Sequence, residues 1–208
     1  MVRGDRESGQ YRLLNLPYDR GGMEMMGMMG GGGHMMEGGM GMMQENTQTK
    51  PHVLATLTYQ GSVSSLPLPQ QLISVEELSE PKTVRRIELS MAMGSGMGMT
   101  FTFNGKAFDP NRVDTQVQLN TVEDWELVNV DPDGMAHPFH LHVNPFQVIS
   151  RNGKPEPYRA WKDTVLVKGN ETVRIRIPFR DFAGKAVYHC HVLDHEDLGM
   201  MGIVEMKG

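Results

Sequence analysis

The 208-residue sequence predicts an all-β fold, a Greek-key β-sandwich over residues 84–208, preceded by a shorter strand-bearing stretch. Three observations carry this prediction. From Val84 onward, short runs of alternating polarity recur between turn signals, about nine of them, as in a sandwich rather than in βαβ units. In the plainest run, Thr172 to Pro178, the residues Val173, Ile175 and Ile177 alternate with Arg174 and Arg176, so one face is buried and the other wet. No stretch keeps a helical period, and only Ser74 to Leu78 offers a single helical turn.

In chain order, Tyr11 to Leu14 reads as a strand. Residues 21–43 hold ten methionines and ten glycines, a composition that predicts a loop, because so much glycine opposes ordering. HVLATLTYQG, from His52, reads as a second strand, and the proline-punctuated run after it as a connector. The sandwich opens with VRRIELS. TFTFNGKAF reads as a hairpin, because Asn104-Gly105 suits the two left-handed positions of a type I′ turn. TQVQLN, DWELVNV, HPFHLHV, FQVIS, DTVLVK, TVRIRIP, KAVYHCHV and GIVEM supply the remaining strands. The expected organisation is a partial domain at 1–70, a linker at 71–83 and a full domain at 84–208.

A formal charge of −5 with scattered Lys and Arg gives no nucleic-acid footprint. No window holds the roughly 18 consecutive apolar residues of a membrane span. The opening MVRGDRESGQYRLL is charged where a signal peptide has its apolar core, so no signal peptide is read in this chain. The single cysteine, Cys190, excludes an internal disulfide and stands between two histidines.

Six of the eight histidines fall in two windows, HPFHLH (His137, His140, His142) and HCHVLDH (His189, His191, His195). On a strand, residues two apart share a face and neighbours do not. His140 and His142 therefore share a face that His137 avoids, and His189 and His191 share one that Cys190 avoids. The singletons His137, Cys190 and His195, joined by Met200, make the two-imidazole, one-thiolate, one-thioether set of a blue-copper electron-transfer centre. The pairs supply four imidazoles from two strands, which suits a second copper site with open positions. A structural zinc site is closed, four-coordinate and usually richer in cysteine. A core role is the ordinary reading of any one of these histidines, but not of six together.

HPFHLHVNPFQV and YHCHVLDHEDLGMM resemble the two C-terminal copper signatures of the multicopper oxidases, laccase-like enzymes built from cupredoxin domains. The resemblance covers residues 84–208 and implies a cupredoxin-like sandwich there. It makes His137, Cys190, His195 and Met200 the type 1 copper ligands, His140 a type 2 ligand, and His142, His189 and His191 ligands of the type 3 pair. It implies one-electron oxidation of Cu(I) or a phenolic substrate, coupled to reduction of O2 to water. Such a cluster takes eight histidines from four His-x-His pairs, and two pairs are present here; His34 and His52 are isolated and read as non-ligands. The other four are expected from an N-terminal cupredoxin domain of the same enzyme. RGDRESGQYRLLNLPYDRGG and VLATLTYQG resemble closing strands of the family's middle domain, so the chain reads as a C-terminal piece, periplasmic or secreted by resemblance. The alternative is a stand-alone blue-copper electron-transfer protein, which has no use for four further histidines. A nitrite-reductase-like domain is a third option, but there a second histidine does not normally flank the cysteine.

The resemblance also bears on substrate. Asp133 and Met135, just before His137, and Met91 stand where the cuprous-oxidising branch holds a substrate Cu(I), for which a thioether is a suitable soft ligand. In place of that branch's long Met-rich helical insert, this chain has only Met93, Met97 and Met99 in a short glycine-rich run. The methionines of 23–43 are further candidates for collecting Cu(I). Glu196, directly after His195, is the expected acid near the substrate and the proton path.

Overall fold

A computed structural model describes residues 9–17, 50–61, 67, 69–70, 73–93, 98–131 and 133–208. The expected methionine-glycine loop at 21–43, with His34, lies outside the described residues, as does Met97. The chain divides into two compact units, with the described residues up to Ser74 in one and those from Val75 to Gly208 in the other. In the first, β1 (Gly9–Asn15) and β2 (His52–Tyr59) pair antiparallel into a two-stranded ribbon with one register shift at Leu13/Leu14. Leu13, Val53, Leu54 and Leu57 are exposed on it, and so is His52.

The second unit is a two-sheet sandwich. Its strands are β3 (Thr83–Met93), β4 (Met99–Phe103), β5 (Thr115–Gln118), β6 (Thr121–Asn129), β7 (His137–Leu141) and β8 (Phe146–Arg151). β9 (Lys154–Pro155), β10 (Trp161–Lys162), β11 (Thr164–Val167), β12 (Thr172–Phe179), β13 (Gly184–Cys190) and β14 (Met201–Lys207) follow. One sheet runs β10-β8-β12-β6-β3-β4 with β9 on β8, and the other β11-β7-β13-β14-β5. The pairs β3/β6 and β14/β5 are parallel. A near all-β chain thus folds as its alternation predicts, and β12 shows why: Val173, Ile175 and Ile177 are fully buried. The intervening Arg174 and Arg176 stand opposite Glu126 and Asp124 of β6, and Arg176 Nε donates to Asp124 Oδ1 at 2.7 Å. Hydrophobic burial on one face, about 1.5–3 kcal/mol per large side chain, is reinforced by cross-strand charge pairs on the other.

The sheets meet through aromatic rings. Trp125 and Phe103 of one sheet lie 5.6 and 5.1 Å, centroid to centroid, from Tyr188 of the other, and Phe103 also meets Phe139 edge-on at 5.9 Å. The Asn104-Gly105 turn has φ of 52° and 70°, as a type I′ turn requires. Its second arm pairs back only through the bridge of Phe103 with Lys106.

Two local expectations are corrected. Residues 73–80, where Ser74 to Leu78 was expected to offer a helical turn, contain no helix. Their polar and apolar groups are committed to the sandwich instead: Leu78 is buried, the Glu76 carbonyl accepts from Gln147 Nε2 at 2.9 Å, and the Ser79 carbonyl accepts from Arg176 Nη1 at 3.4 Å. The one helix among the described residues is α1 (Leu193–Asp197), directly after the cysteine strand.

Candidate metal centres

β7 and β13 are neighbours, with His189 paired to His140, Cys190 to Phe139 and Tyr188 to Leu141. This register brings like faces together. Along β7, His137, Phe139 and Leu141 are buried while His140 is half-buried on the other side. Along β13, Tyr188 and Cys190 point into the core, and His189 faces away from it toward His140.

On the core side, three donors converge. His137 Nδ1 and His195 Nδ1 lie 3.1 Å apart, and Cys190 Sγ lies 3.8 and 3.6 Å from them. His137 and Cys190 are 0% exposed and His195 8%. His195 reaches this point from α1, its ring stacked on Phe101 at 3.9 Å and 14°. The loop then closes on itself: His195 O accepts from Met200 N–H at 2.9 Å, and Met200 O accepts from Cys190 N–H at 3.1 Å. Met200 is thereby held fully buried beside the cysteine strand. Burial pushes the Cys190 thiol up to about 12, only partly opposed by a backbone hydrogen bond at Val192. A thiol held neutral in a dry pocket beside two imidazoles becomes a thiolate when a cation binds, so the donor set fits a soft transition metal such as copper.

On the opposite side, His140, His142 and His189 form a second group whose ligand atoms all lie within 4.8 Å of one another. His142 Nε2 and His189 Nε2 are 3.0 Å apart. His191 joins by its ring, 5.4 Å from those of His140 and His189. His142 and His191 are exposed and His189 is buried. The imidazoles are oriented from behind. His140 Nδ1 lies 2.9 Å from both Asp163 O and Thr164 Oγ1, and His189 Nδ1 lies 3.2 Å from Glu196 Oε2 and 3.0 Å from Cys190 O. Such partners fix the ring and leave the far nitrogen for a metal. Desolvation, then the neighbouring His140 and His189, lower the pKa of His142, which favours the neutral, ligating imidazole. Directly after His142 comes Val143 at φ 69°, with Asn144 N–H donating to His142 O at 2.7 Å. That is a γ-turn of the strained, positive-φ kind, on a β-branched residue.

The remaining residues singled out in the sequence are more dispersed. Glu196 is half-buried on α1, between His195 of the core-side group and His189 of the other. Met135 is buried in the core, Met91 packs partly buried against it, and Asp133 is exposed and belongs to neither donor group. Met91 is paired across the sheet with Phe101, the ring that stacks on His195. Sequence reasoning missed Asp131, whose Oδ2 lies 3.1 Å from His137 Nε2 with both side chains fully buried. The available signal was a second acid in the DPDG run before His137.

Comparisons with known proteins give the family. The family model described as multicopper oxidase matches residues 81–207. The multicopper oxidase mco of Staphylococcus aureus is 38% identical over 145 residues, covering 68% of this chain and 31% of that protein. Among solved structures, the multicopper oxidase from Campylobacter jejuni, described as a metallo-oxidase, superposes with a TM-score of 0.71 at 33% identity, over 98% of this chain and 42% of that one. The laccase from Pediococcus acidilactici does so with 0.58 at 38% identity, over 72% and 32%. The chain thus spans about a third of the length of the curated relatives it matches. By family model, fold and paired donor clusters, this chain belongs to the multicopper oxidases, whose cofactor is copper.

Proposed function

We propose that this chain carries the substrate-side copper centre and half of the oxygen-side centre of an oxidase acting on Cu(I) or small phenolic reductants. His137, Cys190, His195 and Met200 would hold type 1 copper, His140 type 2 copper, and His142, His189 and His191 the type 3 pair. Copper bound there supplies one-electron oxidation of the reductant at the first centre and four-electron reduction of O2 to water at the second.

The observation that carries this reading is the place of Cys190. Its sulfur lies with His137 and His195 on one face of β13, while its neighbour His189 lies with His140 and His142 on the other. A few covalent bonds therefore join two donor sets that the strand otherwise separates. Phe101 and the Met200 loop cover the first set and keep it from solvent, which is how a centre that passes electrons keeps its surroundings unchanged. Glu196, on the helix that carries His195, touches His189 and is the group placed to hold a proton beside the second set.

The second set is half a shell. A stand-alone electron carrier would have no role for His140, His142, His189 and His191, whereas a partner bringing four more imidazoles completes them. We assign that partner to an N-terminal cupredoxin domain of the same enzyme, residues 1–70 to part of the preceding cupredoxin domain and 71–83 to the linker. The match to the C. jejuni structure over 98% of this chain supports that division. The Cu(I) substrate reading is supported by Met91 beside Phe101, by Met135 just before His137, and by the description of the C. jejuni protein as a metallo-oxidase. Asp133, exposed in the same loop, would add a carboxylate. We place the enzyme outside the cytoplasm, periplasmic or secreted, by family resemblance; among the described residues no helix is long and apolar enough to cross a membrane.

The test is copper loading of the full chain. It should develop an intense blue thiolate absorption from one tightly held copper and consume no O2. About four coppers per chain with oxidase turnover would overturn the half-shell reading, and a colourless loaded chain the type 1 assignment.

A further inference from the structure

We infer that Asp131 is a positioning residue for the core-side centre: it fixes the tautomer and aim of His137, and through that imidazole sets how well copper is held there. The inference rests on the type 1 reading above, and its evidence is the hydrogen-bond network behind His137.

The two side chains meet out of reach of solvent. Both are 0% exposed, and Asp131 Oδ2 lies 3.1 Å from His137 Nε2. The other carboxylate oxygen is also used, since Oδ1 accepts from Asp133 N–H at 2.9 Å. A carboxylate oxygen can only accept, so with Oδ1 taken by Asp133 N–H, the 3.1 Å approach of Oδ2 calls for the proton of the neutral imidazole on Nε2. Nδ1 then carries the lone pair, and it is Nδ1 that lies 3.1 Å from His195 Nδ1 and 3.8 Å from Cys190 Sγ. A carboxylate behind an imidazole both orients the ring and raises its basicity toward a metal.

Asp131 is itself held in place. Its N–H donates to Asn129 Oδ1 at 3.0 Å, its carbonyl accepts from Gly134 N–H at 3.1 Å, and Asn129 Nδ2 donates to Met135 O at 2.6 Å. The loop from β6 to β7 is thus tied to the last residue of β6. It is also pressed from outside: a Cβ at Gly169 would lie 2.3 Å from Gly134 O, so the β11–β12 turn has no room for a side chain there. A loop whose only task was to connect two strands would leave the carboxylate to solvent. Here it is driven inward onto a ring nitrogen, where an unpaired partner would be costly. Asp133, the acid that family resemblance singles out, takes no such part, since its side chain is exposed.

The experiment uses the full chain, wild type and Asp131→Asn, with copper as the probe. Asn keeps the shape, so a merely space-filling or loop-holding role leaves the copper readouts unmoved. The proposal expects Cu(II) binding weaker by about 10- to 100-fold and a higher reduction potential, because losing the anion disfavours Cu(II) relative to Cu(I). A copper-free readout stands beside these: ¹⁵N NMR of the wild-type chain should show His137 as the Nε2–H tautomer. An Nδ1–H tautomer overturns the proposal, and so does an Asp131→Asn chain with wild-type affinity and potential. Failure of the type 1 reading looks different: loaded wild-type chain stays colourless, while the tautomer still decides whether Asp131 directs His137.

Discussion

The two donor groups share two strands and differ in almost everything else. On the core side, His137, Cys190 and Met200 are wholly buried, Phe101 packs against both imidazoles, and every expected donor comes from this chain. On the other side, His142 and His191, each just past the end of its strand, are exposed, His140 is half-buried and His189 is buried. The same alternation that sorts apolar from polar side chains in β12 here sorts one donor group from another. Burial separates them: the inner group is closed over by its own loop, and the outer one presents two exposed imidazoles at the surface.

Substitutions that break one group and spare the other test this contrast most sharply. Cys190→Ser should abolish the blue absorption of the copper-loaded chain and leave metal capture by the outer histidines in place, measured by visible spectroscopy with copper counting. His142→Ala should do the reverse, keeping the band and weakening metal binding on the outer face in a calorimetric titration. Phe101→Ala should strike the inner group through its wall, since Phe101 is 2% exposed and stacked on His195. A loss of about 3–5 kcal/mol in urea unfolding is expected. Val143→Gly should act on the outer side with the opposite sign: Val143 is exposed and strained, so glycine should stabilise the metal-free fold by about 1 kcal/mol. A Tm below wild type would show that the positive φ carries no strain. The smallest effect is on pH. Burial and His140 hold His142 below the ordinary imidazole value of 6.5, so its NMR titration in the metal-free chain should have its midpoint under 6.5. The linked stability is present above pH 6.5 and is lost as pH falls through the folded-state value; a midpoint at or above 6.5 would contradict the lowered pKa.

Much of this was legible in the sequence because strands write their geometry at period two. Val173, Ile175 and Ile177 announced a buried face, Asn104-Gly105 announced its turn, and the offset of Cys190 from His189 announced opposite faces for the two metal groups. What the sequence hid depends on contacts distant along the chain. Residues 73–80 lack a helix because Gln147 and Arg176 claim their carbonyls. α1 spans five residues, too few to show a period, and exists where the chain must turn His195 back toward Cys190. Asp131 went unread because its partner nitrogen lies behind His137, and nothing in DPDGMAH says which of two acids turns inward. The pairing of β1 with β2 was hidden for a similar reason, since 36 residues separate them.

The burial of the inner donors bears on kinetics as well as on affinity. An ion can reach His137, Cys190 and Met200 only after some part of the fold moves aside, and the segment 191–200 is the natural door. It is short, it is fastened by a few main-chain hydrogen bonds, and it carries His195, the one donor of that group with any exposure. Copper should therefore enter and leave at the rate at which this door opens, however strongly the finished pocket favours it. Chelators should then strip the inner centre slowly, with a half-life independent of their own strength.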